Sequence, residues 1–111
     1  MAIRNNALNI IMRLTQDQQA AIRTAATEVF GERVGVWLFG SRADDSKKGG
    51  DIDLLIRPGP QSTDKLFERK IRFLTLLERE LGERKIDVVI ETPNDTRPIV
   101  AIAHATGARI N

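Results

Sequence analysis

Hydrophobic residues recur at the spacing of an amphipathic helix in three segments of the chain. The first is Thr15–Phe30, where Thr15 and Gln18 have the capping-box pattern and Gly31 is placed to end the helix. The second is Ser62–Leu81, and the third is Pro98–Thr106, which has a proline in its first turn. The predicted core-facing stripe of the second helix is Leu66, Phe67, Ile71, Leu74, Leu77 and Leu81.

Three short apolar segments alternate with these helices and are predicted to be β-strands. They are Val34–Phe39, Asp51–Arg57 and Lys85–Ile90. Because Val34–Phe39 is apolar on both faces, we expect helices to cover both sides of the sheet. The order helix, strand, short helix or turn, strand, helix, strand, helix predicts a small α/β (α+β) domain with a three-stranded sheet flanked by helices.

The chain of 111 residues is long enough for one hydrophobic core. We expect a single domain at residues 15–111, preceded by an N-terminal extension, residues 1–14, whose role the sequence does not define. Within that extension, Ile10, Ile11 and Leu14 could pack on the domain or on a partner. Alternatively, Met12 could be the natural start.

Composition narrows the chemistry that the domain can perform. The chain has 17 Lys and Arg against 15 Asp and Glu, a formal charge of +2, which does not argue for direct nucleic-acid binding. Cysteine is absent and His104 is the single histidine, so thiolate chemistry and histidine-rich metal sites are not expected. Any metal would be bound by oxygen, as Mg²⁺ or Mn²⁺ is. We expect His104 to be a partly buried, hydrogen-bonded or surface residue, not a catalytic one.

The targeting signals expected of secreted or membrane proteins are missing from the sequence. No apolar run approaches the length of a membrane span, and the N-terminus has no signal-peptide pattern. The sequence therefore predicts a cytoplasmic protein with no membrane partner.

Three aspartates lie in predicted strands, where aspartate is disfavoured. Asp51 and Asp53 open the second strand and share one face because side chains alternate along a strand, and Asp87 lies in the third. Carboxylates inside a covered sheet are costly unless they are paired, hydrogen-bonded or bound to a metal. Taken singly, Asp51 could cap the preceding glycine turn and Asp87 could pair with Arg84 or Lys85. A divalent cation would account for all three together.

Gly40, Ser41 and Arg42 follow the first strand and form a candidate phosphate site. Glycine lets a phosphate approach the backbone closely, and free N–H groups at Ser41 would bind an anion if a helical turn begins there. Arg42 could add positive charge. An anion site at one end of the connection and carboxylates at the other suit a metal–triphosphate complex. The Walker A and G-x-G-x-x-G patterns are both absent.

These motifs resemble the signature of the minimal nucleotidyltransferases (MNT proteins) of the DNA polymerase β-like superfamily. That signature is a Gly-Ser after the first strand, an Asp-x-Asp opening the second and a third Asp on a later strand. Here they are Gly40-Ser41, Asp51-Ile52-Asp53 and Asp87. The resemblance covers residues 15–110 and implies the nucleotidyltransferase fold, with a small mixed three-stranded sheet flanked by helices.

The resemblance also implies a two-metal mechanism with ATP as the nucleotide donor. One Mg²⁺ would activate the nucleophile and the other would support the leaving pyrophosphate. The implied catalytic and metal-binding residues are Asp51, Asp53 and Asp87, and the nucleotide-binding residues are Gly40, Ser41 and Arg42. The connection departs from the family: Asp44 stands where arginine is usual, and nine residues separate Ser41 from Asp51, one fewer than is usual.

Many MNT proteins are antitoxins of HEPN/MNT toxin–antitoxin pairs, which adenylylate a tyrosine of a HEPN-domain ribonuclease toxin and silence it. This chain has no tyrosine, so a tyrosine acceptor must lie on a partner. The chain could assemble with the toxin or with itself. Two alternatives remain open: a non-catalytic module that neutralises its toxin by binding alone, and a small-molecule nucleotidyltransferase formed by dimerisation.

Overall fold

The computed structural model describes residues 14–40 and 52–111, which form three helices and four strands. In chain order these are α1 (Gln16–Phe30), β1 (Gly35–Phe39), β2 (Ile52–Arg57), α2 (Leu66–Leu81), β3 (Ile86–Ile90), α3 (Pro98–Thr106) and β4 (Ala108–Arg109). The three predicted long helices and the three predicted strands are present in this order, and the short helix or turn predicted between the first two strands lies outside the described residues. The largest difference in boundaries is at the start of α2.

Thr15 caps α1 as the sequence predicts. The backbone N–H of Gln18 donates to Thr15 Oγ1 at 3.0 Å, and the N–H of Thr15 donates to Gln18 Oε1 at 2.9 Å. Gly31 ends the helix with its N–H donating to the Thr27 carbonyl at 2.9 Å. Its φ of 95° lies in the left-handed region that favours glycine. The capping box and the glycine stop are both confirmed.

Replacing Thr15 by alanine is expected to lower the free energy of unfolding by about 1 kcal/mol. The change leaves the N–H of Gln18 without its side-chain acceptor at the first turn of α1. Urea denaturation of the wild type and the variant measures the loss. Thr24→Ala, an exposed threonine within the same helix, is the matched control. An equal loss in Thr24→Ala would show that the cap contributes nothing.

The strands form one mixed sheet in the order β3-β2-β1-β4. β1 pairs antiparallel with β2 and β4, and β2 pairs parallel with β3. The predicted number of three strands is therefore wrong by one. The missed strand β4 has two residues and pairs with Trp37 and Leu38 of β1. Two residues are too few to produce an alternating pattern that could be recognised in a sequence.

Helices cover both faces of the sheet, which confirms the expectation from the apolar β1. On one face, α1 and α2 pack over a core that includes Val36 and Leu54. On the other face, Val100 and Ala103 of α3 pack against a second cluster that includes Trp37. All five residues of β1 are buried between these layers.

The helix α2 begins at Leu66, whereas the sequence predicted a start at Ser62. Ser62 belongs to a turn in which its N–H donates to the Gly59 carbonyl at 2.9 Å. Lys65 is the N-cap and has a φ of 52°, in the left-handed region. Because that conformation cannot be part of a right-handed helix, the helix starts after Lys65.

The buried face of α2 is rotated away from the predicted stripe. Phe73, which the prediction left out, is fully buried and packs edge-on against Phe30 with ring centroids 5.5 Å apart. Phe67 and Ile71, which the prediction placed in the core, are 74% and 49% exposed. Leu77 and Leu81, in contrast, are buried as predicted, and Leu74 is partly buried against the same core.

Arg69 and Arg72 connect α2 to α1 beside the buried face of α2. Arg69 Nη1 donates to the Val29 carbonyl at 2.6 Å, and Arg72 Nη2 pairs with Glu28 at 2.9 Å. The Arg69 guanidinium also pairs with Asp64 and lowers the pKa of that carboxyl below its ordinary value. Arg72 remains largely exposed, whereas the Arg69 side chain is partly buried between the two helices.

The core extends to Leu14, which is 4% exposed and packs with the residues under α1 and α2. The packed domain therefore includes a residue that the sequence assigned to the N-terminal extension. Ile10, Ile11 and Met12 lie outside the described residues. Within residues 14–40 and 52–111, no helix has the length and apolar composition needed to cross a bilayer.

Candidate active site

Asp53 and Asp87, two of the predicted metal ligands, are neighbours on adjacent strands. Asp53 of β2 and Asp87 of β3 are register partners in the parallel pair. Adjacent strands are about 4.8 Å apart, and register partners project from the same face of a sheet. The two aspartates therefore lie next to each other on one face of the sheet.

Gly40 lies beside this pair at the end of β1. The preceding residue, Phe39, is the register partner of Asp53 in the antiparallel pair. Gly107 packs closely on the same strand end, because a β-carbon there would lie 3.1 Å from the Leu38 carbonyl oxygen and 3.1 Å from the Phe39 β-carbon. The C-terminal end of α3 thus supports the backbone that positions Gly40 next to the carboxylates.

The two carboxylates differ in their exposure to solvent. Asp53 is 4% exposed and lies on the sheet face that α3 covers, together with Leu55. Asp87 is exposed and lies on β3, the strand at the edge of the sheet. A buried carboxylate next to a second one is favoured when a cation is bound between them. The residues present therefore fit a hard divalent cation, which prefers oxygen ligands.

Ser41, Arg42 and Asp51 lie outside the described residues, as does the connection that contains Asp44. Within the part of the chain that the structure describes, no group of three or more acidic or histidine side chains is placed to hold a metal ion. The described portion of the candidate site consists of Gly40 together with the Asp53–Asp87 pair.

His104 belongs to a different cluster on the same face of the sheet. Its Nε2 is 2.8 Å from Glu91 Oε1, and its ring packs edge-on against Trp37 with centroids 4.5 Å apart. The guanidinium groups of Arg57 and Arg109 each lie 4.9 Å from the Trp37 ring centroid. Trp37 is a core residue, and His104 has the hydrogen-bonded environment that the sequence favoured over a catalytic one.

The loop between β3 and α3 is held by Asp95, a role that was not recognised in the sequence. The Asp95 carboxylate accepts hydrogen bonds from the backbone N–H groups of Thr92 and Arg97, both at 3.1 Å, and pairs with the Arg97 guanidinium at 2.7 Å. The Arg97 side chain, followed by the Thr92 N–H, holds the pKa of Asp95 far below its ordinary value. The sequence did contain a signal for this role, because Asp95 lies in a segment with Pro93 and Asn94, and aspartate side chains in such segments often cap turns.

Replacing Asp95 by asparagine is expected to lower the melting temperature at neutral pH. The pKa of Asp95 is lower in the folded state than in the unfolded state, where it is about 4. The ionised carboxylate therefore stabilises the fold fully when the pH is above the unfolded pKa, and this stabilisation is lost as the pH falls below it. The difference in melting temperature between wild type and variant should therefore decrease below about pH 4. Thermal unfolding across this pH range tests the expectation, and a difference independent of pH would contradict it.

A small mixed sheet covered by helices, with a glycine after β1 and register-paired aspartates at the starts of β2 and β3, defines the nucleotidyltransferase class of fold. Consistent with this, the family model of the nucleotidyltransferase domain matches residues 20–106, and the chain belongs to that family. A comparison with curated proteins gives no match. The matched segment contains all of the site residues predicted from the sequence.

Membership in this family confirms the superfamily and the fold class that the sequence motifs predicted. Nucleotidyl transfer is the activity of the family, whose members generally use a nucleoside triphosphate and a divalent metal ion. The chain is therefore a nucleotidyltransferase at this level of description.

Proposed function

We propose that the protein is a Mg²⁺-dependent protein adenylyltransferase that acts as an antitoxin. It transfers AMP from ATP to a tyrosine of a cognate HEPN-domain ribonuclease toxin and thereby neutralises the toxin. The observation that carries this proposal is the register pairing of Asp53 and Asp87 on adjacent strands, beside Gly40. Such a site supplies oxygen ligands for a hard cation and a backbone that phosphates can approach closely.

Asp51, Asp53 and Asp87 are the proposed ligands of two Mg²⁺ ions. When bound, these ions neutralise charge on the triphosphate and support the leaving pyrophosphate. Asp53 is buried, which leaves its carboxylate little freedom to turn toward solvent. A fixed carboxylate costs no reorganisation at the moment of reaction, which is how preorganised charge contributes to catalysis.

Gly40, Ser41 and Arg42 form the proposed phosphate site, and Asp87 faces the acceptor. The acceptor oxygen attacks the α-phosphorus, a new P–O bond forms, and the bond to pyrophosphate breaks. Because Asp87 is exposed on the edge strand, the hydroxyl of the acceptor can approach it from the solvent side. Its carboxylate can orient that hydroxyl and accept its proton.

The composition and the shape of the described domain support a protein acceptor. The chain contains no tyrosine, so the modified tyrosine belongs to another chain. Residues 14–40 and 52–111 form one small domain in which Asp87 lies at the open edge of the sheet. An open edge suits a hydroxyl presented by a macromolecule better than a small acceptor that needs an enclosing pocket.

The test uses the protein encoded beside this chain, provided that it is helical and carries an R-x4-6-H motif. That protein is incubated with the full chain, ATP and Mg²⁺, and its intact mass is then measured. We expect the mass to rise by one or more adenylyl groups, with fragmentation locating them on tyrosine. The ribonuclease activity of the partner should fall in parallel, and omission of ATP should prevent both changes.

Two results would reject the proposal. Inhibition of the ribonuclease without ATP and without a change in mass would identify a binding module that neutralises by contact alone. Transfer of AMP to an aminoglycoside with no partner protein present, and none to the partner, would identify a small-molecule nucleotidyltransferase.

A further inference from the structure

A surface cavity of about 400 Å³ lies at the opposite end of the sheet from the candidate active site. The cavity is lined by Arg57 where β2 ends, whereas Asp53 lies near the start of that strand. Four residues at about 3.3 Å each separate these positions, so the cavity and the aspartate pair are roughly 13 Å apart along the strand. The cavity is therefore not part of the nucleotidyl-transfer site.

Two guanidinium groups give this cavity its charge. Arg33, in the turn between α1 and β1, and Arg57 both line it, and no described carboxylate is within ion-pair distance of either group. Glu91 also lines the cavity, but its carboxylate is 2.8 Å from His104 Nε2. The two guanidinium groups are thus available to a ligand and give the lining an excess of positive charge.

The guanidinium of Arg57 is held in place before any ligand binds. It lies 4.9 Å from the centroid of the Trp37 ring, and Trp37 is 8% exposed. The ring itself fits closely over Gly35, where a β-carbon would lie 2.6 Å from a ring atom. A cation stacked on an immobile ring loses little side-chain entropy when it binds an anion.

Both walls of the cavity are held by hydrogen bonds. In one wall, the Gly59 N–H donates to the Phe30 carbonyl at 2.8 Å, and a β-carbon at Gly59 would lie 2.9 Å from that oxygen. The other wall is the loop that Asp95 fixes through Thr92 and Arg97. The cavity is therefore preformed, as binding sites for small molecules usually are.

We propose that this cavity binds a small molecule through its phosphate or carboxylate group, at a site separate from the nucleoside triphosphate. Guanidinium forks match the oxygens of both groups, and paired arginines bind them strongly. Thr63, Thr92 and Asn94 supply neutral polar groups around the anion, and three prolines supply apolar contacts. Because the volume exceeds that of a single phosphate, the ligand carries its anionic group on a larger body.

The test is a titration of the ¹⁵N-labelled full chain, without Mg²⁺, with inorganic phosphate and separately with citrate. We expect saturable chemical-shift changes at Arg33, Thr92 and Asn94, with those of Asp53 and Asp87 unchanged. Saturation by phosphate alone identifies a phosphorylated ligand, and saturation by citrate alone identifies a carboxylate. Either result supports the proposal.

Substitution of the two arginines separates a specific site from a general effect of charge. Arg33→Gln and Arg57→Gln should each weaken binding about tenfold or more. Arg79→Gln, on the exposed part of α2, removes the same charge elsewhere and should leave binding unchanged. Arg33 lies in an exposed turn, so Arg33→Gln is expected to fold. It therefore tests the site even if Arg57→Gln is destabilised by loss of the Arg57–Trp37 contact. Absence of saturable shifts, or equal weakening in all three variants, would overturn the proposal.

Discussion

Replacing Asp87 by asparagine is expected to reduce adenylyl transfer by at least about 100- to 1,000-fold, the range seen when one preorganised charged group is removed. Asparagine keeps the size of the side chain but removes the anionic oxygen that the two proposed roles of Asp87, metal ligand and group facing the acceptor, both require. Asp87 is exposed and in register with the buried Asp53, so the charge is lost at the open side of the site. Pyrophosphate release in the presence of the acceptor protein measures the rate.

The same substitution should leave the fold intact, which separates a catalytic effect from a structural one. Two neighbouring carboxylates repel each other when no cation is bound, so Asp87→Asn should melt at the wild-type temperature or above it. Glu83→Gln removes the same charge from an exposed position shortly before β3 and should keep full activity. Full activity of Asp87→Asn, or equal losses in both variants, would contradict the assignment of Asp87.

Replacing Phe73 by alanine is expected to lower the free energy of unfolding by about 3–5 kcal/mol. Phe73 is fully buried, and its edge-on contact with Phe30 joins α2 to α1. Alanine would remove this contact and leave a cavity between the two helices. Because the whole stability of a small domain is of the order of 5–15 kcal/mol, a large part of it would be lost. Chemical denaturation measures the change, and Phe73→Leu provides a milder variant that remains folded.

Phe67→Ala is the matched control for Phe73→Ala, since both remove a phenyl ring from the same helix. Phe67 is 74% exposed, so its loss should change the free energy of unfolding by no more than about 0.5 kcal/mol. A larger loss of unfolding free energy in Phe67→Ala than in Phe73→Ala would mean that α2 packs through the stripe predicted from the sequence. This pair of variants therefore tests directly how the helix is rotated.

The sequence predicted the features of the fold that depend on local chemistry. The Thr15–Gln18 capping box, the stop at Gly31 and the proline at the start of α3 are each specified within a few residues. The apolar β1 correctly indicated a sheet covered on both sides. These features form as predicted because the residues that interact lie close together in the chain.

The features that the sequence did not predict depend on partners far away in the chain. The buried face of α2 is the one that meets α1, where Phe73 packs on Phe30 and Arg69 donates to the Val29 carbonyl, forty residues away in the chain, and no pattern within α2 specifies these contacts. The strand β4 forms only because Ala108 and Arg109 reach β1. The Arg33–Arg57 cavity likewise combines segments that carry no shared motif.

The candidate site was more predictable than its surroundings, because two of its residues are aspartates within β-strands, where aspartate is uncommon. Asp53 and Asp87 were recognised as aspartates in strands, and the register that pairs them follows from two parallel strands that begin at the same edge. The difference in their exposure could not be predicted, since it depends on the strand order, in which Asp53 lies on the inner strand β2 and Asp87 on the edge strand β3.

Whether Gly40, Asp53 and Asp87 belong to one metal–nucleotide site is tested by titrating the ¹⁵N-labelled chain with Mn²⁺ in the presence of a non-hydrolysable ATP analogue. A bound paramagnetic ion broadens the amide signals of the residues nearest to it. We expect the signals of Gly40, Asp53 and Asp87 to broaden first, while that of Arg33 at the other end of the sheet stays sharp. Broadening centred on the Glu91–Asp95 loop, or none at the aspartate pair, would contradict this expectation.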